Sequence, residues 1–386
     1  MPQLAPHVLT TPHSGIRRMV DIALQTRDPI MLLSGDPNFT TPSHIIDAAA
    51  DAARGGATGY ATGIGVPALR DAIVEKLSDR NGMRVDVDQI CVTTGGCGGL
   101  FTSLMLILEP GDEVLVPDPG WSNYPAMAHT LNARAVGYPL DPAASLSLDP
   151  AGIAARVTPR TRAIIVNSPG NPTGTVETAD RLEALLEIAE RNDLWVLSDE
   201  CYEELVFEGR HVSTATVRQT DRVLSVFTFS KSYAMTGWRV GYVVGQPFFI
   251  EQLGLHQEPV VSCASTISQH AALAALRGPQ DCVFEMRDAY RERRDLAAAE
   301  LDGQGVPYVR PRGSFFMMAD ISDTQLDSWT FCHRLLEEEN VAVVPGAAFG
   351  ENGEGFVRIS LAAATDKVTV GTRKLAEFVA AVRAQT

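Results

Sequence analysis

The chain has 386 residues, of which 45% are hydrophobic, and this is enough apolar material for a large buried core. Its 32 basic and 47 acidic residues give a formal net charge of −15, which disfavours binding to nucleic acid or to an anionic membrane surface. We therefore expect a globular protein whose partners are small molecules.

The cysteines and the first residues carry information about the cellular compartment. The six cysteines are dispersed and form no CxxC pair, so we expect reduced thiols and no disulfide framework. The first fifteen residues lack the basic and apolar segments of a signal peptide, and the segment richest in apolar residues, LFTSLMLIL from Leu100, is too short to cross a bilayer. These features predict a cytoplasmic location, and we predict no metal site.

Short apolar segments alternate with helical patterns along the chain. The apolar segments are typical of strands that are buried on both faces of a sheet; in chain order they are QICVTT, DEVLVP, ARAVGYPL, RAIIVNSP, LWVLSDE, RVLSVFTF and WRVGYVVG. Between the fourth and fifth, Leu182, Leu185, Leu186 and Ala189 fall on one face of a predicted helix that covers the sheet. The alternation predicts an α/β fold with a mainly parallel, roughly seven-stranded sheet flanked by helices.

The pattern changes after about residue 285. A charged helical stretch follows, and then FMMADI, VAVVPG and FVRISLA, which indicate a separate small sheet. The segment KLAEFVAAV near the C-terminus is again helical in pattern. Because we find no internal repeat, low-complexity tract or flexible linker, we expect the two parts to pack closely.

Two glycine-rich segments are candidates for phosphate binding. GIGVPA, residues 63–68, fits the dinucleotide pattern GxGxxG/A, but no buried strand precedes it, so we interpret the match as accidental. VTTGGCGGLF, residues 92–101, follows a predicted strand and opens a helix whose free N–H groups suit an anion. A tight turn without a ligand explains this second segment equally well on its own.

Polar side chains follow three of the predicted strands. Asn171 lies in NSPGNPTG, Asp199 and Tyr202 lie in SDECY, and Lys231 follows the apolar run RVLSVFTF. A solvated group at a strand end is the ordinary interpretation of each residue alone. However, the carboxyl ends of parallel strands meet at one sheet edge, where ligands of α/β proteins bind, and this convergence favours a functional site.

In this order and spacing, NSPGNPTG, DECY, SKSYAMTGWRVGY and RISLA resemble the class I/II pyridoxal-phosphate-dependent aminotransferases of fold type I, the aspartate aminotransferase superfamily. LLSGDPNFTTP, GYATGIGVPALRDAI and GDEVLVPDPGWSNY match as well, so the resemblance covers nearly the whole chain. It implies a transaminase that moves an amino group between an L-amino acid and a 2-oxo acid by a ping-pong mechanism. The implied cofactor is pyridoxal 5′-phosphate.

The resemblance also implies a division into domains. Together with the change of pattern near residue 285, it predicts an N-terminal arm over 1–13, a small α+β domain made by the two chain ends, 14–45 and 286–386, and a large cofactor-binding domain over 46–285.

The resemblance gives catalytic roles to three residues. Lys231 corresponds to the lysine that forms the Schiff base with the cofactor aldehyde and then shuttles a proton, and desolvation favours its neutral amine. Asp199 corresponds to the carboxylate that keeps the pyridine nitrogen protonated. Tyr202, together with Asn171, corresponds to the residues that hydrogen-bond the phenolic oxygen of the ring.

Further residues match cofactor contacts. The implied phosphate ligands are Thr228, Arg239 and the backbone N–H groups of Gly95, Gly96 and Cys97. Trp121 matches the aromatic residue that stacks on the ring. Tyr60 matches a tyrosine that reaches the phosphate from a neighbouring subunit, which implies a homodimer with shared active sites. A tyrosine packed at the start of a helix is the other interpretation of Tyr60.

On the substrate side, Arg358 matches the arginine that binds the α-carboxylate, and Gly35 lies at a backbone position near it. Trp121 and Asn171 complete the implied substrate-binding set. Cys97 stands about where some aspartate-using relatives offer a lysine to the distal carboxylate. A place near the mouth of the pocket is open for Arg17, Arg18 and His256, but we favour their interpretation as solvated surface groups, so we expect donors with neutral or apolar side chains.

Three alternatives stay open from the sequence. One is a protein of this fold without activity, although the intact Lys231, Asp199, Arg239 and Arg358 argue against it. A β-lyase or a ring-closing lyase of the same fold type would use the same ring and lysine. A ligand-sensing domain is a different class, but the chain shows neither a preceding DNA-binding domain nor the basic surface that such a role needs. The residues do not predict which amino acid and oxo acid are used.

Overall fold

A computed structural model describes residues 2–11 and 13–385. The strands are β1 (Ile30–Met31), β2 (Ile90–Thr93), β3 (Glu113–Asp118), β4 (Arg134–Asp141), β5 (Ser147–Leu148), β6 (Thr161–Asn167), β7 (Trp195–Asp199), β8 (Val223–Thr228), β9 (Gly241–Val244), β10 (Tyr308–Val309), β11 (Phe316–Asp320), β12 (Val341–Ala342), β13 (Val344–Pro345) and β14 (Phe356–Ser360).

The α-helices are α1 (Gly15–Ala23), α2 (Ser43–Arg54), α3 (Pro67–Lys76), α4 (Gly95–Ile107), α5 (Asn123–Thr130), α6 (Pro150–Ala154), α7 (Ala179–Arg191), α8 (Thr214–Val217), α9 (Pro247–Val261), α10 (Thr266–Arg277), α11 (Asp281–Gly303), α12 (Ser328–Glu339) and α13 (Thr365–Arg383). Short 3₁₀ turns connect several of them.

The large sheet has the strand order β2-β9-β8-β7-β6-β3-β4-β5. Strands β4, β3, β6, β7 and β8 are parallel, whereas β9 is antiparallel to both β2 and β8. The chain runs outward from β3 to β4 and then returns to the other side of β3 at β6, so the direction of winding reverses between β3 and β6. In open α/β sheets, ligands bind outside the carboxyl ends of the strands at such a reversal.

Alternation along the strands gives this sheet two buried faces. In β6, Ile164 and Val166 pack on one face with the helix α7, while Ala163 and Ile165 pack on the other face with α4 and α5. A strand covered on both sides needs apolar residues at nearly every position, which explains the continuous apolar runs in the sequence. The two layers of helices leave the carboxyl edge of the strands open.

The second part of the fold joins the two chain ends. Strands β10, β11, β14 and β13 form an antiparallel sheet, and β1 from the N-terminal region pairs in parallel with β12. Met19 and Leu32 from the N-terminal region share one buried core with Phe331 and Val379 from the C-terminal region. The α+β part is therefore built from both ends of the chain.

The fold class predicted from the sequence is confirmed. All seven predicted segments contain a strand of the large sheet, and an eighth, the two-residue strand β5, lies at its edge. The segment VAVVPG forms two short strands, β12 and β13, instead of one. The domain boundaries stay a prediction, and α11 runs through the position at 285/286 where we place one of them. Within the described residues, no helix combines the length and the apolar character needed to span a membrane.

Candidate active site

A cleft of about 420 Å³ lies at the carboxyl edge of the large sheet, between this sheet and the α+β part. Its walls contain residues from both chain ends and from the loops that follow β2, β3, β6, β7 and β8. The residues with predicted roles that line it are Gly35, Gly96, Cys97, Trp121, Asn171, Asp199, Tyr202, Thr228, Lys231, Arg239 and Arg358. The fold thus brings together predicted site residues that are as much as 323 positions apart in the sequence, from Gly35 to Arg358.

The glycine-rich turn after β2 forms one end of the cleft. Gly95 has φ +73°, and a Cβ placed on it would lie 2.8 Å from Nη2 of Arg239, so this turn needs glycine. Gly95 also starts α4, and Thr94 before it makes no side-chain cap to the first N–H groups of the helix. The turn therefore presents uncapped N–H groups beside a guanidinium, which suits an anion.

Arg239 reaches the same end of the cleft because β9 runs antiparallel to its neighbours. It stands two residues before β9 begins at Gly241, and its Nη1 donates to the carbonyl of Thr236 at 2.9 Å. A Cβ on Gly241 would lie 2.9 Å from the backbone N of Gly96, so the absence of a side chain at Gly241 lets the glycine-rich turn after β2 pack closely against β9. On β8, the hydroxyl of Thr228 donates to Oγ of Ser230 at 2.9 Å.

Lys231 follows β8 at the centre of the cleft. Its Nζ donates to the carbonyl of Gly35 at 2.6 Å, which links the large sheet to the N-terminal region. Part of the side chain is accessible from the cleft, but the surrounding protein is dense, and this burial lowers the pKa of the ammonium below its ordinary value. Lys231 is thereby biased toward the neutral amine, the form that acts as a nucleophile or a base.

Asp199 ends β7 and is almost fully buried. Its Oδ2 accepts a hydrogen bond of 2.6 Å from the hydroxyl of Tyr124, and its Oδ1 accepts one of 3.3 Å from the backbone N–H of Cys201. Burial raises the pKa of this carboxyl, whereas the hydrogen bonds from Tyr124 and Cys201 oppose the rise. No basic side chain of the described residues forms an ion pair with Asp199.

Two asparagines of the loop after β6 order this wall of the cleft. Asn167 donates through Nδ2 to the carbonyl of Asp199 at 3.0 Å and accepts at Oδ1 from the backbone N–H of Asn171 at 2.7 Å. The Oδ1 atom of Asn171 accepts from Nη1 of Arg358 at 3.0 Å. Since its amide oxygen is used in this way, Asn171 keeps its Nδ2 group as a donor toward the cleft.

Arg358 lies on β14 and is 1% exposed. Its Nη2 donates to the carbonyl of Leu33 at 2.6 Å, its guanidinium stacks 4.1 Å from the ring centroid of Phe316, and its Nε has no hydrogen-bond partner among the described residues. Burial lowers the pKa of Arg358 to about 9. A buried guanidinium without an acidic partner is costly, so the site favours an anionic ligand beside it.

Two predicted aromatic residues stand in different surroundings. Tyr202 is buried against Phe315 and Phe316 in edge-to-face contacts, and burial raises the pKa of its hydroxyl well above the ordinary value. Trp121 lines the cleft and meets the ring of Tyr124 edge-on, with ring centroids 5.3 Å apart. Tyr202 is therefore held as a neutral hydrogen-bonding group, whereas Trp121 offers an apolar face.

Tyr60 is the predicted site residue that lies away from this cleft. Its side chain is 89% exposed, and it stands in a surface depression with Cys263 and Ile267. Within the chain it therefore makes no part of the cleft wall. Gly95 does not line the cleft directly either, but its backbone adjoins Arg239 as described above.

The sequence patterns indicated no site role for Tyr124, Asn167, Ile16 or Val20, although these residues line the cleft. Trp121 lies two positions before α5 begins, and the backbone N–H of Tyr124 on the first turn of this helix donates to the carbonyl of Trp121 at 3.1 Å. Asn167 ends β6 within the motif NSPGN, which was a usable signal. Ile16, Arg17 and Val20 also line the cleft, and Arg17 is solvent-exposed there, which agrees with its interpretation as a solvated group. Arg18 and His256 are not among the lining residues.

Comparison with known proteins agrees with this arrangement. A family model described as aminotransferase class I and II matches residues 27–372. The aspartate aminotransferase of Pyrococcus abyssi is 39% identical over 360 residues, which cover 92% of each chain. The arginine–pyruvate transaminase of Pseudomonas aeruginosa is 40% identical over 356 residues, or 90% of each chain.

The structural comparison leads to the same group. The solved structure of Thermus thermophilus aspartate aminotransferase with maleate superposes with a TM-score of 0.92 at 38% identity, covering 99% of this chain and 100% of that one. The family match spans most of the chain, and both relatives exceed 30% identity over nine-tenths of it. The chain therefore belongs to the class I and II aminotransferases, a fold-type I family whose members use pyridoxal phosphate.

Proposed function

We propose that this cleft binds pyridoxal 5′-phosphate and transfers an amino group between an L-amino acid and a 2-oxo acid. The observation that carries the proposal is a set of unpaired charges. Lys231, Arg239 and Arg358 line the cleft, yet none of them forms an ion pair with an acidic side chain in the part of the chain that the structure describes. The chain as a whole has a net charge of −15, so three such cations in one cleft favour an anionic ligand. The buried carboxylate of Asp199 among them suits a basic ring nitrogen on the same ligand.

The residues present fit the two ends of this cofactor. Arg239, the hydroxyl of Thr228 and the N–H groups of Gly95, Gly96 and Cys97 would hold the phosphate, because a helix N-terminus and a guanidinium both favour a dianion. At the opposite end, Asp199 has no cationic partner in the described protein and would receive the ring nitrogen. The apolar face of Trp121 would support the ring between these ends.

When bound, the cofactor would supply an electron sink for the negative charge that develops at the substrate Cα as its proton leaves. Asp199 would keep the ring nitrogen protonated. Tyr202, and Asn171 through its remaining amide donor, would hydrogen-bond the phenolic oxygen of the ring.

The substrate would be held from the α+β part of the molecule. Arg358 would bind the α-carboxylate, since its Nε lacks a partner and its other nitrogens are fixed by Asn171 and the carbonyl of Leu33. Lys231, which touches Gly35 on the same side, would take the proton from Cα and return it later in the reaction, and its burial favours the basic form that this step needs.

The family leaves the substrate side chain open. Relatives of similar identity are named for aspartate, arginine and aromatic amino acids. In this chain the rim of the cleft combines the apolar side chains of Ile16 and Val20 with the guanidinium of Arg17. We propose neutral or apolar donors, because Arg17 is solvent-exposed and offers weak compensation for burying a second carboxylate.

We further propose a homodimer in which Tyr60 completes the partner's site. Tyr60 is a largely exposed aromatic residue, and α9 carries further exposed apolar side chains at Leu255 and Val260. The loop that carries Tyr60 packs on this helix, with Gly254 O within 3.5 Å of a Cβ placed on Gly63. An exposed apolar surface of this kind suits a second copy of the chain.

A cytoplasmic location is the remaining part of the proposal. All six cysteines are free thiols in the structure, and Cys91 and Cys332 among them are buried. Free thiols persist in the reducing cytoplasm, whereas proteins in oxidising compartments commonly form disulfides.

The proposed reaction is tested by supplying the holoenzyme with one amino acid and no oxo-acid acceptor. We expect one equivalent of the corresponding 2-oxo acid per active site and no ammonia, because the amino group stays on the enzyme until an acceptor arrives. Continuous release of ammonia and oxo acid without an acceptor would instead show a lyase reaction. Lys231→Ala serves as the inactive control.

Mixed dimers test the shared site. Tyr60→Phe chains and Lys231→Ala chains, each impaired as homodimers, should regain activity when they are combined, because one of the two sites then carries neither substitution. If every site is made by one chain alone, the mixture will show no more activity than the sum of the two variants.

A further inference from the structure

Tyr124 is a buried residue of α5 to which neither the resemblance nor the proposed reaction assigns a role. It is 1% exposed, and its hydroxyl donates to Oδ2 of Asp199 at 2.6 Å. The backbone N–H of Cys201 donates to the same carboxylate at the longer distance of 3.3 Å, and the weakly donating Cys201 thiol also hydrogen-bonds it. Tyr124 therefore makes the shortest hydrogen bond to the carboxylate that would receive the cofactor ring nitrogen.

The carboxylate needs such a donor because of its surroundings. Asp199 is next to the buried acid Glu200, which disfavours a second negative charge, and the other titratable groups facing it are Cys97, Cys201 and Tyr202. Glu200 is itself stabilised as a carboxylate by His211 and Ser213. Burial and a like charge both favour a protonated Asp199, which could not hold a protonated ring nitrogen.

The position of Tyr124 is fixed by packing. It lies in the apolar cluster on the α4 side of the large sheet, and its ring meets Trp121 edge-on. Tyr124 is the second residue of α5 and Trp121 lies two positions before this helix begins, so one short segment places an aromatic face and a hydroxyl donor at the cleft. A donor held by packing loses little rotamer freedom when the cofactor binds.

We propose that Tyr124 is a positioning residue for cofactor recognition: its hydroxyl keeps Asp199 ionised and fixes the orientation in which this carboxylate meets the ring nitrogen. This inference rests on the proposed function. Tyr124 itself touches neither the ring nor the substrate in this role, and it acts only through Asp199.

Tyr124→Phe tests the proposal, with Tyr138→Phe as the matched control. Tyr138 is also fully buried and donates its hydroxyl at 2.8 Å, but to the carbonyl of Ile165 rather than to Asp199. We expect the dissociation constant of pyridoxal phosphate to be about tenfold higher for Tyr124→Phe than for the wild type, which corresponds to a loss of about 1.4 kcal/mol in binding free energy. The control should retain the wild-type constant even if its melting temperature falls.

The pH profile gives a second readout. Without the Tyr124 hydroxyl, protonation of Asp199 becomes easier, so the acidic limb of the kcat/KM profile should move to higher pH in Tyr124→Phe and stay in place in Tyr138→Phe. A uniform loss of kcat/KM at every pH with an unchanged limb would contradict the proposal and indicate a packing role.

Asp199→Asn completes a double-mutant cycle. If Tyr124 acts through the carboxylate, Tyr124→Phe should have little further effect on cofactor dissociation in the Asp199→Asn background. Additive losses would overturn the proposal. A wild-type protein that does not bind pyridoxal phosphate would contradict the proposed function. Equal binding by the wild type and Tyr124→Phe would overturn only the inference about Tyr124.

Discussion

The inner end of the cleft and its outer rim are built differently. At the inner end, Asp199 and Arg358 are buried and each is held by hydrogen bonds, from Tyr124 to the first and from the second to Asn171. At the rim, Arg17 of α1 is exposed and has no side-chain partner in the described part of the protein. The side chains at the inner end are therefore held in place before any ligand binds, while the side chain of Arg17 at the rim is free to change its conformation.

This difference follows from the cost of burying polar groups. A buried carboxylate or guanidinium must be hydrogen-bonded in one arrangement, and that arrangement suits the chemistry that all substrates share. A solvated side chain at the rim pays no such cost and can turn toward or away from a ligand. We therefore expect substitutions at the inner end to affect every substrate and substitutions at the rim to affect only some.

The largest effect is expected for Lys231→Ala, at the centre of the cleft. Losing the base should reduce kcat at least about 10³-fold for every amino acid, within the range for general acid–base groups. Borohydride treatment of the wild-type holoenzyme should link the cofactor covalently to the peptide that contains Lys231, as measured by mass spectrometry. The exposed Lys367 provides the control, since Lys367→Ala should change neither result. Cofactor linkage to another lysine in the wild type would contradict the assignment.

The pH dependence of cofactor uptake by the apoenzyme is a sharper test of burial. The neutral amine is the form that attacks the cofactor aldehyde, so the rate of covalent linkage after cofactor is added to the apoenzyme should rise with pH through the pKa of Lys231 and then level off. Because burial lowers this pKa, the rate should level off well below 10.5, the ordinary value for a lysine. A rate that still rises at pH 10.5 would show that the ammonium is solvated like a surface lysine.

Arg358→Leu should have the next largest effect at the inner end. Removing one partner of a buried, hydrogen-bonded charge pair costs about 2 kcal/mol or more, so kcat/KM for α-amino acids should fall at least about 30-fold. Arg334→Leu is a suitable control, because Arg334 pairs with Glu338 on the surface of α12. A fall of the same size for an amine substrate that lacks a carboxylate would argue against the carboxylate contact.

Most of the inner end could be predicted from the sequence, since it follows strands whose apolar runs are unmistakable. Asn171, Asp199 and Lys231 each come shortly after such a run, and parallel strands bring their carboxyl ends to one edge. The contact of Tyr124 with Asp199 could not be predicted, because a tyrosine in a short helical segment is most simply interpreted as a core residue and Asp199 is 75 positions away in the sequence.

The rim could not be predicted for a different reason. Whether a residue of α1 faces the cleft depends on how the N-terminal region docks on the C-terminal part, through Met19 and Leu32 in their shared core and the pairing of β1 with β12. These contacts join positions about 300 residues apart, and the local pattern of a nine-residue helix does not encode them. From the sequence alone, Arg17 and Arg18 therefore receive the same interpretation as solvated surface groups.

Arg17→Leu is the prediction with the smallest expected effect, and it tests the adaptable rim. An exposed ion pair contributes about 0.2–1 kcal/mol, so kcat/KM for aspartate or glutamate should fall about threefold, while leucine and phenylalanine should be unaffected. Arg18→Leu is a closely matched control, because Arg18 is the next residue on α1 but stacks on Trp329, 4.4 Å from its ring centroid. An equal fall in both variants would indicate a general loss of positive potential rather than contact with the substrate. A fall of tenfold or more for aspartate alone would mean that Arg17 is drawn into the closed site with the substrate, and the preference for neutral donors would then be wrong.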